Sequence, residues 1–354
     1  MKLYPLLRPL LFRLPPERAH ALTLRMLGMV GRTPRLAALL SRLSAAPARP
    51  VQVAGLTFPN PVGLAAGYDK DGAVIEGLAA LGFGHLEIGT VTPRPQPGNP
   101  KPRVFRLPEE RAIINRMGFP SAGAQSLDIR LRGLQSPLPV VLGVNIGKNK
   151  DTPNEEAVRD YLSLMERFIG LTDYLTVNIS SPNTVGLRDL QHRAALERLL
   201  GALHERRRAF FPDTLYLPNG EILPGGSIPI FVKLAPDLTS AQLDAALEAI
   251  VRSGMDGVIL TNTTVARPGV EGHPLAAERG GLSGAPLRAM SEAALRHAVR
   301  VLDGRLPVVS TGGIMTPEDA RRRLDMGAAL VQLYTGLIYA GPFLPRDCVR
   351  AMAA

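Results

Sequence analysis

From residue 62 onward the chain alternates between two hydrophobic periods. Short, nearly unbroken apolar runs occur at 62–65, 86–91, 139–145, 174–179, 228–234, 257–261, 306–310 and 330–334. Most are rich in β-branched residues, the pattern of strands buried on both faces. Between them, apolar positions recur three and four apart at 157–169, 194–210, 241–251 and 286–301, which predicts amphipathic helices. Eight such strand–helix units over about 300 residues predict an α/β fold closed as a (β/α)8 TIM barrel. A doubly wound open sheet is the alternative, but regular units without a midpoint favour closure. The segments 92–119 and 212–227 exceed ordinary connections and are expected to be functional or lid-like.

The first 50 residues follow another pattern. "RLAALLSRL" sets Leu36, Leu39, Leu40 and Leu43 on one helical stripe, and "YPLLRPLLFRL" adds Leu6, Leu7, Leu10, Leu11 and Phe12, with Pro9 expected to break the helix. "AAPARP" at 45–50 reads as a linker, dividing a helical module (1–46) from a barrel domain (51–354). Charge sharpens the division: residues 1–49 hold nine Lys/Arg against Glu17 alone, a net +8 of the chain's +10. The arginines interrupt any spanning helix or secretory core. A basic amphipathic module fits a membrane interface, apolar face down among anionic headgroups. A capping helical pair and a mitochondrial transit peptide are the alternatives. Leucine stripes without base-reading side chains argue against a nucleic-acid partner. Cys348, the one cysteine, excludes an internal disulfide and a cysteine-based metal site.

In such barrels chemistry gathers where strands end. Here the predicted ends read Gly67-Tyr68-Asp69-Lys70, Thr90, Asn145, Asn178, Lys233, Thr261-Asn262-Thr263, Thr311-Gly312-Gly313 and Tyr334-Thr335-Gly336. The set has no histidine, no carboxylate pair for glycoside chemistry and no metal-ligand cluster, so no metal is expected. "GKNKD" at 147–151 lacks the spacing of a P-loop. Amides, hydroxyls and lysines suit an enzyme whose cofactor carries the reaction. "STGGIMTPEDA" offers a glycine pair, then Thr316, Pro317, Glu318 and Asp319 at N-cap, N1, N2 and N3, where barrels commonly seat phosphate. Lys233 could face a flavin, form a structural ion pair or act as a Schiff-base amine. "NISSPNT" at 178–184 is either a plain turn or a neutral polar site at a strand end.

Taken in order, "GLTFPNPVGLAAGYDKDG", "IGTVTPRPQPGNPKPRVFRL", "INRMGF", "GVNIGKNKDT", "VNISSPNT", "VKLAPDL", "LTNTT", "GGLSGAPL", "TGGI" and "VQLYTG", with "ERAH" in the arm, resemble the class 2, quinone-dependent dihydroorotate dehydrogenases. The resemblance spans nearly the whole chain. It implies FMN as cofactor and oxidation of dihydroorotate to orotate, with a membrane quinone as final acceptor, in pyrimidine biosynthesis. It also implies a peripheral protein on the cytoplasmic face of a bacterial membrane, with a mitochondrial inner membrane as the alternative; a monomer is expected, with an oligomer as the alternative. Position by position it implies Ser181 as catalytic base. Lys70, Asn115, Arg116, Met117, Gly118, Phe119, Asn178, Asn183, Asn262 and Thr263 would bind substrate. FMN would meet Ala66, Gly67, Tyr68, Asp69, Lys70, Thr90, Asn145, Asn178, Lys233, Thr261, Gly284, Gly313, Tyr334 and Thr335. A quinone pocket would include His20, Arg106 and Tyr334. Ser181 in place of a cysteine, and the arm itself, carry the class assignment. Thr335 stands where the family often has serine, and Thr311 where a small apolar residue is expected.

Overall fold

The computed structural model describes residues 4–135, 137–210, 214–224 and 228–353. Eight parallel strands close a barrel: β1 (Val62–Leu64), β2 (His85–Val91), β3 (Val141–Ile146), β4 (Tyr174–Asn178), β5 (Ile230–Leu234), β6 (Gly257–Leu260), β7 (Val308–Thr311) and β8 (Leu330–Leu333). Every residue in these strands is buried, which is why they read as continuous apolar runs rather than as alternation. The arm forms α1 (Tyr4–Arg13), α2 (Pro16–Arg32) and α3 (Pro34–Leu43). Around the barrel run α4 (Ile75–Ala79), α5 (Ala124–Arg132), α6 (Ala157–Phe168), α7 (Arg193–Phe210), α8 (Ser240–Arg252), α9 (Arg288–Leu302) and α10 (Pro317–Asp325), followed by α11 (Thr335–Ala340) and α12 (Leu344–Ala353). The helix α10 starts as its sequence predicts, with Thr316 and Asp319 capping each other reciprocally.

The strand-start end is sealed. A hairpin of Val51–Val53 and Leu56–Phe58 lies beneath it, and Phe58, His85, Tyr174 and Phe231 meet edge to face at 5.4, 6.5 and 5.4 Å. Glycines opposite these rings make the layer possible: a Cβ on Gly63 would sit 2.1 Å from the His85 ring, and one on Gly143 2.0 Å from that of Tyr174. Burial pushes His85 down to about 4, so the ring is neutral at pH 7.

The two long segments have opposite fates. Within 92–119, strands Val104–Leu107 and Ala112–Asn115 pair with Gly281–Gly284 into an antiparallel sheet over the strand-end face, around a small core of Leu107, Ile114 and Leu282. The segment 212–227 is not a lid. Its hairpin, Thr214–Tyr216 with Ile222–Pro224, turns through Asn219, whose N–H donates to Asp173 at 3.1 Å. Glu221 accepts from the Thr57 N–H at 3.1 Å, which fixes the hairpin at the sealed end. Residues 212–213 and 225–227 of that expectation lie outside the described residues.

Pro9 does not break the first helix but sits inside α1. A proline there removes one intrahelical bond, and tertiary contacts hold the helix regardless: the Tyr4 hydroxyl donates to the Ile338 carbonyl, and Arg8 to that of Tyr339 at 3.2 Å. Arg346 and Arg350 on α12 donate to the Leu43 and Ala45 carbonyls, each at 2.9 Å. The helix α2 rests on α4 so closely that a Cβ on Gly77 would lie 2.1 Å from the Leu27 carbonyl oxygen. Leu6, Leu7, Leu10, Leu14, Leu22, Met26, Met29, Leu36, Leu39 and Leu43 face outward, ten of the thirteen exposed large apolar side chains among the described residues. No helix among those residues is long and apolar enough to cross a membrane.

Candidate active site

At the strand-end face a cleft opens, lined from all around the barrel mouth. Its wall brings together Ala66, Gly67, Lys70, Thr90, Asn115, Met117, Gly118, Phe119, Asn178, Ser181, Asn183, Lys233, Thr261, Asn262, Thr263, Gly284, Gly313, Tyr334 and Thr335, residues the sequence had nominated. Four others stand off the wall. Asn145 lies one layer below; Tyr68 stacks toward the arm; Asp69 accepts from the Ala73 and Val74 N–H groups at 2.9 and 2.8 Å. Arg116 turns outward onto Glu278, its guanidinium 4.6 Å from the Phe105 ring, and takes no part in the wall.

The floor is a chain of neutral polar groups. Asn178 donates to Thr90 Oγ1 at 2.9 Å and to Asn145 Oδ1 at 3.0 Å, and its own Oδ1 accepts from Ser180 Oγ at 3.2 Å. Asn262 donates to Ser180 Oγ at 3.1 Å, and Asn183 to Asn115 Oδ1 at 3.2 Å. Ser181 Oγ lines the cleft and accepts from the Asn183 N–H at 3.3 Å, which leaves one lone pair and the proton without a partner among the described residues. Its loop is clamped by Arg188, which donates to the carbonyls of Ser180 (3.1 Å) and Thr263 (2.9 Å) and pairs with Asp237 at 2.9 Å. No sequence signal marks Arg188, because its partners, two loop carbonyls and Asp237, lie beyond any short-range spacing along the chain.

Two lysines supply the cleft's charge. Lys70 donates to the Gly67 carbonyl, and its ammonium is pushed down to about 8, first by burial and then by Arg103. Arg103 is itself paired with Glu17 of α2 at 3.0 Å. Lys233 lies 3.5 Å from Glu87, a fully buried carboxylate that the sequence reading missed.

The loops after β7 and β8 form the third wall. Gly312 and Gly313 adopt φ of +100° and +74°, and a Cβ on Gly313 would lie 2.4 Å from the Arg288 Cα. The Gly312 carbonyl accepts from Ser291 (2.7 Å) and from the buried Arg323 (2.9 Å), and the Gly313 carbonyl from Arg288 (3.4 Å). Since C=O and N–H of one planar trans peptide point oppositely, the Gly313 and Ile314 N–H groups turn toward the cleft. Thr335 Oγ1 meets Ser283 Oγ at 2.8 Å beside them. This cradle fits a phosphate, and with Lys233 across the cleft the donor set fits FMN. Thr311 lines the cleft and its carbonyl accepts from the Thr261 N–H at 2.9 Å, tying β7 to β6. Ala65, Ser283, Leu287, Ile314, Met315 and Gln332 complete the wall without having been nominated.

Toward the arm, His20, Tyr68 and Tyr334 stack edge to face at 5.0 and 6.2 Å. Burial, followed by Lys70, pushes His20 down to about 4. Arg106 instead caps the end of α1, donating to the carbonyls of Leu11 (3.4 Å), Phe12 (3.2 Å) and Leu14.

The dihydroorotate dehydrogenase family model matches residues 49–354. The chain belongs to the dihydroorotate dehydrogenase family. It is 53% identical over 353 residues to the dihydroorotate dehydrogenase (quinone) of Chromobacterium violaceum, covering 99% of this chain and 98% of that one. To the protein of the same name from Thiobacillus denitrificans it is 51% identical, with 99% of each covered. A crystal structure of the Eimeria tenella enzyme in complex with ferulenol superposes with a TM-score of 0.81 at 38% identity, covering 94% of this chain and 89% of the other. Family membership makes the protein an oxidoreductase, and the barrel that its hydrophobic pattern predicts is the fold of that relative.

Proposed function

We propose that the protein oxidises dihydroorotate to orotate with FMN and passes the electrons to a membrane quinone. The observation that carries this reading is the neutral amide–hydroxyl floor around Ser181, flanked by a lysine on one side and a phosphate cradle on the other. Bound FMN supplies the hydride acceptor. Asn115, Asn178, Asn183 and Asn262 present both donors and acceptors, as a ring edge that alternates N–H and C=O requires. Lys70 meets the substrate carboxylate. Ser181 takes the proton from C5; a hydroxyl is a weak base in water, and a buried site that fixes its geometry is what makes the transfer feasible. Lys233 faces the flavin ring, and the Gly313 and Ile314 N–H groups with Thr335 hold its phosphate.

The arm, residues 1–46, is the membrane and quinone module. Its outward leucines and methionines among arginines support a peripheral attachment to the cytoplasmic face of a bacterial membrane. The stacked His20, Tyr68 and Tyr334 support a quinone path between the arm and the cleft, with Arg106 fixing the end of α1 beside it. The purified protein should be yellow with about one FMN per chain, the stoichiometry of a single cleft. Dihydroorotate should bleach it without oxygen, and a quinone should restore the colour. A colourless protein that stays inactive when FMN is supplied overturns the reading.

A further inference from the structure

Glu87 sits in the middle of β2 with no solvent exposure. Donors from three other strands reach it, so its side chain points into the barrel, directly under the cleft. Asn145 of β3 donates to Oε1 and Gln332 of β8 to Oε2, each at 2.7 Å, and Lys233 of β5 lies 3.5 Å from Oε1. From below it faces His85, neutral through burial, and the Tyr174 ring. Lys233 is the only cation within ion-pair distance among the described residues. A buried ion pair is a poor device for stability, since an apolar pair of the same volume often serves as well. This pair also lies where charge matters to the cleft: Lys233 and Gln332 are both part of the wall.

We infer that Glu87 is a positioning residue for the redox step, fixing Lys233 and limiting how much positive charge it presents to the flavin. The inference rests on the FMN reading above. A flavin that accepts a hydride from dihydroorotate carries one more negative charge. Lys233 favours that charge and Glu87 opposes it. The pair therefore holds the two-electron potential between the value that would block reduction and the value that would trap the electrons. The Asn145 and Gln332 amides fix the orientation of the carboxylate in a place that water does not reach.

The test is an anaerobic potentiometric titration of the purified holoenzyme at pH 7, followed by its visible absorption. Glu87→Gln should bind reduced FMN about tenfold more tightly relative to oxidised FMN, raising the midpoint potential by about 30 mV. Lys233→Met should move it in the opposite direction. Glu87→Asp, which keeps the charge, should lower thermal stability while leaving the potential near wild type. A Glu87→Gln enzyme that loses stability or FMN content at an unchanged potential overturns the inference, because a purely structural role predicts that result. Should Glu87→Gln fail to fold, an unchanged potential in Lys233→Met overturns it equally, since Lys233 would then exert no charge on the ring. A wild-type protein without FMN overturns the flavin reading instead.

Discussion

Raising the pH from 7 to 9 should cut kcat/KM for dihydroorotate about tenfold while leaving kcat nearly constant, with Lys70 as the cause. Its ammonium titrates at about 8 rather than the ordinary 10.5, because burial disfavours the charge and Arg103 repels it. The protonated fraction in free enzyme is then about 0.9 at pH 7 and about 0.1 at pH 9. Since kcat/KM reports the free enzyme, losing the cation that meets the substrate carboxylate lowers it in proportion, about 1.4 kcal/mol across the interval. Bound substrate holds the proton in place, so kcat does not follow. Unfolding does not imitate the effect: with the folded value depressed, the unfolded chain binds more protons between pH 8 and 10.5, so this group adds stability as pH rises through that window. Steady-state rates at half-unit pH steps, for wild type and Lys70→Met, provide the assay. Arg103→Met should shift the midpoint upward. A flat wild-type profile, or the same fall in Lys70→Met, refutes the reasoning.

Ser181→Ala should retain FMN but slow anaerobic flavin reduction at least ~100-fold, the low end for a lost general base, and stopped-flow absorbance measures it directly. Ser181→Cys should recover activity toward high pH, where a thiol with pKa near ~8.5 ionises. A chain beginning at Val51 should be reduced by dihydroorotate at a near-normal rate yet lose reoxidation by a long-chain quinone. Arg323→Met should weaken FMN binding about tenfold in apoprotein titrations, in the range for one charge-assisted bond, while riboflavin, which lacks the phosphate, binds as before. An equal loss for both ligands would assign Arg323 to packing alone.

The barrel was legible because parallel strands buried on both faces leave unbroken apolar runs, and all eight predicted runs coincide with strands. Motif residues at strand ends were legible for the same reason: the end of a run marks the mouth. What stayed hidden was whatever depends on a distant partner. Glu87 stands in "HLEIGTV", where nothing local gives it a role; its partners Asn145, Lys233 and Gln332, 58 to 245 positions away, reveal that it faces inward. Arg188 and Arg323 hold carbonyl groups, which every residue has, so no pattern announces them. The hairpin around Asn219 was misjudged because length signals importance without saying at which end of a barrel a segment lies. Pro9 shows local preference yielding to docking, with Tyr4 and Arg8 anchored on residues more than 300 positions later.

Those anchors impose an order of events on biosynthesis. Part of the surface that receives the arm, the carbonyls of Ile338 and Tyr339 and the arginines of α12, lies near the far end of the chain. At roughly 5–20 residues per second, the arm leaves the ribosome about 15–60 seconds before that part of its dock exists. During that interval its outward leucines have no closed barrel beside them. A nascent basic, apolar segment in that position is a substrate for chaperones or for the bilayer itself. The arm is therefore free to find a membrane before the barrel closes, and docking becomes the last step of assembly rather than the first.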